Sequence, residues 1–221
     1  MKKHILLAAV IAAISAPAFA GPDIEAHVST LGLGLGMGFQ VSDSLVARVG
    51  FNQFNKNFST SSGSVNYDGK LKLSSLDALL DWHLFGGATH LTVGIMSNNN
   101  KFNLTGTPAA NGSYTFNGQT FTATEVGTLN GDVSFNSAAP YLGFGWNSQP
   151  KNKGLSFKSD IGVMFQGSPK ANLTYTGNGG GNATVAAQIN SQVAVEQANL
   201  NDKLKNYRYY PVLSFAIGYA F

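Results

Sequence analysis

Along this chain apolar side chains alternate with small or polar ones, and the period is 2 in stretch after stretch. In "LGLGLGMGF", Leu31, Leu33, Leu35, Met37 and Phe39 share one face, and Gly32, Gly34, Gly36 and Gly38 share the other. Four glycines in seven residues would cost a helix about 1 kcal/mol each against alanine. The dinucleotide-binding fingerprint also fails, because its third glycine would fall on Met37, Phe39 or Val41. A period of 2 belongs to a strand. The same alternation returns in "LVARVGF" (Leu45–Phe51), "LDALLDWHL" (Leu76–Leu84), "LTVGI" (Leu91–Ile95), "YLGFGW" (Tyr141–Trp146), "LSFKSDIGVMFQ" (Leu155–Gln166) and "YYPVLSFAIGYAF" (Tyr209–Phe221), so seven strands are clear.

A soluble sandwich would show this alternation with its apolar face in the core. Two features favour the opposite orientation. The second face is rich in Gly, Ala and Ser, which suits a tight interior. The connections also alternate: short near 41–44, 85–88 and 147–154, long over about 58–67, 98–130 and 167–205. Short turns on one side, long loops on the other and apolar-out strands predict an all-β fold, a small antiparallel transmembrane β-barrel. Length favours about eight strands, and the stretch 21–28 is then either a short first strand or a segment running through the lumen. Within the long loops, Asn117-Gly118 predicts a type I′ hairpin, and "GNGGGN" (Gly177–Asn182) reads as a flexible linker. Val185, Ile189, Val193, Leu200 and Leu204 predict a helix in the last extracellular loop.

The N-terminus sets the address. Lys2, Lys3, the apolar run "ILLAAVIAAIS" and "AFA" (Ala18–Ala20) make residues 1–20 a signal peptide, with an apolar core well short of the ~20 residues of a membrane span. The barrel is then 21–221, in the outer membrane of a Gram-negative cell. Loss of Lys2 and Lys3 lowers the net charge from +3 to +1, which removes any hint of nucleic acid. The chain has no cysteine, hence no disulfide and no thiol chemistry. No metal or cofactor is expected.

Candidate chemistry lies on the inward face. Pairing Leu31–Gln40 with Leu45–Phe51 places Arg48 beside Gly36 or Gly38, so the glycine stripe is expected to make room for a guanidinium. Counted from the short turns, Arg48, Asp81, Lys158 and Asp160 share one layer, with Asp77 four residues above Asp81. Two readings stand: a salt-bridged plug, or an amphoteric constriction crossed by zwitterionic solutes. Phe39, Trp82, Trp146 and Phe221 face outward near the short turns as an aromatic girdle. His83 and His90 flank the Gly86-Gly87 turn and His27 precedes the first clear strand. Interfacial packing is their expected role, and no enzyme is expected.

"APYLGFG" (Ala139–Gly145), "GSPKANLTYT" (Gly167–Thr176) and "NDKLKNYRYYPV" (Asn201–Val212) resemble matching segments of CarO-type porins in order and spacing over about 130–221. The resemblance implies a small outer-membrane barrel linked to uptake of ornithine and related amino acids and to carbapenem entry. None of the matching motifs is a solute-binding signature. The expected function is passive uptake of small polar solutes, amino acids among them. A non-conducting structural or adhesin-like barrel and a carrier of small apolar molecules remain open. The expected partners are outer-membrane lipid, small polar solutes and the barrel-assembly machinery, which would read the C-terminal strand ending in Phe221.

Overall fold

The computed structural model of the chain describes residues 21–62, 64–109, 111–148 and 153–221. The leader expected at 1–20 and the middle of the 147–154 connection lie outside the described residues. Strands dominate. β1 (Asp23–Ser29), β2 (Gly32–Ser42), β3 (Leu45–Ser62) and β4 (Val65–His83) are successive antiparallel neighbours. β5 (Thr89–Asn98) pairs with β4 on one side and with β10 (Ala138–Asn147) on the other. β10 pairs with β11 (Gly154–Met164), β11 with β13 (Tyr210–Ala220), and β13 with β1. This order of pairings is consistent with a β-barrel.

Burial decides which face is inside. Leu33, Leu155, Phe215 and Ile217 are 58–67% exposed, whereas Arg48, Asp81 and Lys158 are 3–8% exposed. A sandwich core would require the reverse, so the apolar face is the outer one, as in a wall bathed by lipid. β1 also settles the N-terminal alternative, because 23–29 is a strand between β2 and β13 and not a segment threading the interior. Its outward Ile24, Ala26 and Val28 alternate with inward Asp23, Glu25 and His27.

The expected long loops are largely ordered, and they raise the wall on one side. Residues 58–67 are the tip of the β3–β4 hairpin. β6 (Lys101–Pro108) pairs with upper β4 just beyond the end of β5, β9 (Leu129–Ser134) pairs with β6, and β12 (Lys170–Tyr175) pairs with β9. The hairpin of β7 (Ser113–Phe116) and β8 (Gln119–Thr122), the turn α1 (Ala123–Val126) and the helix α2 (Ala183–Leu204) cover the inner side of this extension. Their core joins Val65, Tyr114, Phe116, Phe121, Ile189 and Val193. Asn117 (φ 48°) and Gly118 (φ 83°) carry the two positive dihedrals that the predicted turn demands. The expected linker is instead a 3₁₀ turn at Gly179–Gly181, all three at positive φ, running into Asn182. Asn182 Oδ1 caps α2 by accepting from the N–H groups of Thr184 (2.9 Å) and Val185 (3.3 Å).

The two edges of the raised sheet differ. α2 closes the β12 edge. Ala171 N–H donates to Asn201 Oδ1 (2.8 Å), Asn201 Nδ2 donates to the Ala171 carbonyl (3.2 Å), and Leu173 N–H donates to Gln197 Oε1 (2.9 Å). At the other edge β3 outlasts β2, whose pairing stops at Gln53, and among the described residues β4 is the only strand paired with residues 54–61. Among the described residues, no helix is long and apolar enough to cross a membrane.

Candidate functional site

The β2–β3 register pairs Gly38 with Arg48 and sends the guanidinium inward. Its Nε lies 2.6 Å from Asp81 Oδ2, and its Nη2 donates to Asp81 Oδ1 at 3.0 Å. Asp160, on the far side at β11, accepts from Nη1 (3.3 Å) and Nη2 (3.2 Å). Each carboxylate has a second partner. Thr92 Oγ1 donates to Asp81 (2.8 Å), and His90 Nε2 lies 2.9 Å from Asp160. Lys158 donates to Glu25 Oε2 (2.6 Å) and contacts Asp23. Glu25 also lies 3.9 Å from Arg48, which joins the two clusters. Asp77 stands above them and accepts from Asn52 Nδ2 (3.0 Å), while Asn52 Oδ1 meets His27 Nε2 at 2.8 Å. Fork-like Arg–carboxylate contacts of this kind are strong and directional.

The layer expected from the sequence is therefore assembled, with Arg48, Asp81, Lys158 and Asp160 in it and Asp77 above. It is larger than expected. Asp23, Glu25, His27 and His90 join it, and five inward carboxylates face two fixed cations among the described residues. His90 is a correction: it is fully buried on the inner face beside Asp160, not packed at the interface. His83 also points inward, 5.2 Å from the His90 ring.

The glycine stripe needs a correction too. Gly32, Gly34, Gly36 and Gly38 do line the inner face, but the groups filling their space come mainly from β1 and not from Arg48. A Cβ on Gly34 would collide with the His27 ring and the Phe51 carbonyl, and one on Gly36 would sit 3.0 Å from Glu25 Oε1. At Gly38 the nearest atom, Val46 Cγ1, is an ordinary 3.6 Å away. Gly32 has φ +119°, where only glycine is at ease. Of the aromatic set, Trp82, Trp146 and Phe221 are about half exposed and Phe39 is half-buried, all at the short-turn ends of their strands. Tyr219 packs edge-on against Phe221, with centroids 5.0 Å apart.

Above the charges the interior turns apolar, with Leu31, Met96, Ala139, Tyr141, Met164 and Val212 packed together. Between the two layers lies a cavity of about 40 Å³ bordered by Glu25, His27, Arg48, Asn52, Asp77 and Tyr141. That is space for water and far below the roughly 300 Å³ at which ligand pockets begin. The arrangement can hold water and exchange hydrogen bonds.

No protein-family model matches the sequence, and no curated protein matches it significantly. Solved structures do match. CarO2 of Acinetobacter baumannii superposes with a TM-score of 0.59 at 18% identity, over 92% of this chain and all of that one. The fold is that of CarO. CarO of the same organism gives 0.55 at 22% identity, over 92% of this chain and 98% of its own. At these identities the likeness to CarO speaks for the fold, over nearly the whole of both chains.

Proposed function

We propose that the chain is an outer-membrane barrel of the CarO family with eight wall strands (β1 to β5, β10, β11 and β13). Its charge layer acts as a closed amphoteric constriction for the smallest zwitterionic solutes, free amino acids. One observation carries the reading: Arg48 is held between carboxylates on two different strands, Asp81 of β4 and Asp160 of β11, while Lys158 of β11 reaches across to Asp23 and Glu25 of β1. A solute ammonium can replace a cation at one carboxylate while the solute carboxylate takes up the released guanidinium, so passage exchanges ion pairs without stranding a charge. The surplus of inward carboxylates favours cationic over anionic solutes. Export through the leader and insertion through the strand ending in Phe221 complete the proposal. Deleting Phe221 is expected to lower the amount assembled in cells.

A second reading, a non-conducting structural barrel, is favoured by the apolar cluster that fills the interior above the charges. Liposome swelling with the refolded protein separates the two. The constriction predicts slow but measurable entry of glycine, and in Arg48→Ala faster entry of lysine and slower entry of glutamate. No swelling with any of the three, in either protein, would leave the structural reading.

A further inference from the structure

The outer surface of the wall changes character where the raised sheet begins. On β4 the last outward apolar residue is Leu76, followed upward by Ser74, Lys72 and Lys70. On β3, Phe51 gives way to Gln53 and Asn55. On β5 and β6, Ile95 gives way to Ser97, Asn99 and Lys101. The registers align these positions sideways. Lys72 stands directly opposite Lys101, and Lys101 and Lys170 both stand opposite Ser134. Three lysines thus share one row on one face, with Lys70 one step above, and all four are exposed.

This row breaks a packing rule. Like charges directly opposite on adjacent strands are destabilising, yet none of these lysines has a carboxylate within ion-pair distance among the described residues. The carboxylates on the same face, Asp132 and Asp68, bond instead to Asn172 (3.2 Å) and Ser59 (2.6 Å). The row lies four residues above Leu76. At about 3.3 Å per residue along a tilted strand that is roughly 10 Å above the apolar band, the depth of a headgroup region.

We infer that Lys72, Lys101 and Lys170, with Lys70, form a binding row for the phosphate groups of the glycolipid in the surrounding outer leaflet. The inference rests on the barrel spanning the outer membrane with its short turns inward. Adjacent strands are about 4.8 Å apart, so Lys72 and Lys101 clamp one phosphate while Lys170, about 10 Å further along, reaches a second. The ligand class is a bisphosphorylated, acylated sugar. The lysines supply charge and the apolar wall below them supplies the seat for its chains.

The test uses the full mature protein refolded in detergent and titrated with bisphosphorylated lipid A, with bound lipid counted by native mass spectrometry. A lysine at such a surface contributes about five-fold in affinity. Lys72→Gln/Lys101→Gln/Lys170→Gln is therefore expected to bind at least ten-fold more weakly, and the monophosphorylated lipid to lose most of the difference between the two proteins. Lys153→Gln, exposed in the short connection before β11 at the opposite end of the wall, is expected to bind as wild type. Equal binding by wild type and the triple variant overturns the proposal. Insertion of both proteins into phosphatidylcholine vesicles, read by heat-modifiable migration, is measured alongside. If both insert but bind the glycolipid equally, the lysine row fails and the barrel stands. If wild type inserts into no vesicle, the barrel reading fails and the row falls with it.

Discussion

Arg48→Ala is the most informative single change. The wild-type guanidinium satisfies two carboxylates that are otherwise poorly served. Asp81, 3% exposed, would keep only the Thr92 hydroxyl, whereas Asp160, 7% exposed, would keep His90 at 2.9 Å. Removing one partner of a buried pair costs about 3–5 kcal/mol when water cannot reach the orphan. With a urea slope of about 1–3 kcal/mol per M, that loss moves the unfolding midpoint down by at least about 1 M. The asymmetry between the two carboxylates adds a sharper expectation. Adding Asp81→Ala to Arg48→Ala recovers about 1–3 kcal/mol, the range of coupling between contacting residues. Adding Asp160→Ala recovers less, because it also strands His90 Nε2. Midpoints of wild type, the singles and both doubles, followed by heat-modifiable migration, check this. A midpoint for Arg48→Ala within error of wild type, or equal recovery in the two doubles, would refute the reasoning and mean that water already solvates the layer.

Ile217→Arg, on the lipid face at 58% exposure, is expected to cost about 2–4 kcal/mol and to reduce folding into vesicles, read as loss of the fast-migrating form. Gly34→Ala is expected to push His27 off Asn52 and lower the unfolding midpoint, while Gly38→Ala, with nothing closer than 3.6 Å, leaves it nearly unchanged. In the turn at α1, hydrogen bonds from the Thr122 N–H and hydroxyl hold the Glu125 carboxyl below the ordinary carboxylate range. A lowered folded value means its contribution is complete above the usual glutamate range and is lost as pH falls through the folded one. Amide exchange at Thr122, corrected for its intrinsic pH dependence, should speed up in acid in wild type and not in Glu125→Gln.

The strand pattern was legible because an apolar outer face against a polar interior imposes period 2 as strictly as a core does. What the sequence left open at residues 21–28 was a matter of length. Ile24, Ala26 and Val28 alternate correctly, but three positions, one of them alanine, are a weak signal. Missing β1 hid Asp23, Glu25 and His27, and with them the true occupants of the glycine stripe. His90 could have been assigned by parity, since Leu91, Val93 and Ile95 point outward and the residue before them must point in. The Arg48–Asp81 pairing followed from successive strands at matching heights. Arg48–Asp160 and Lys158–Glu25 did not, because alternation gives the face of a residue and says nothing of which distant strand lies across the interior. The raised sheet escaped notice because its outward face is Asn, Ser, Thr and Lys, so its alternation carries little hydrophobic contrast.

The unequal edges of that sheet bear on how copies of the protein behave towards one another outside the membrane. An uncovered strand edge is a template for aggregation. At β12 the amides of Asn201 and Gln197 occupy the template, so a second molecule would have to displace α2 before it could add a strand there. At β3, among the described residues, no second strand or side-chain amide pairs with residues 54–61, and the composition around Lys56, hydrophilic apart from Phe54 and Phe58, is what keeps that ribbon soluble. Lys56 is thereby a gatekeeper: neutralising it would leave the charge layer and the apolar outer face untouched and still make the unfolded or refolding chain prone to self-association through this one strand.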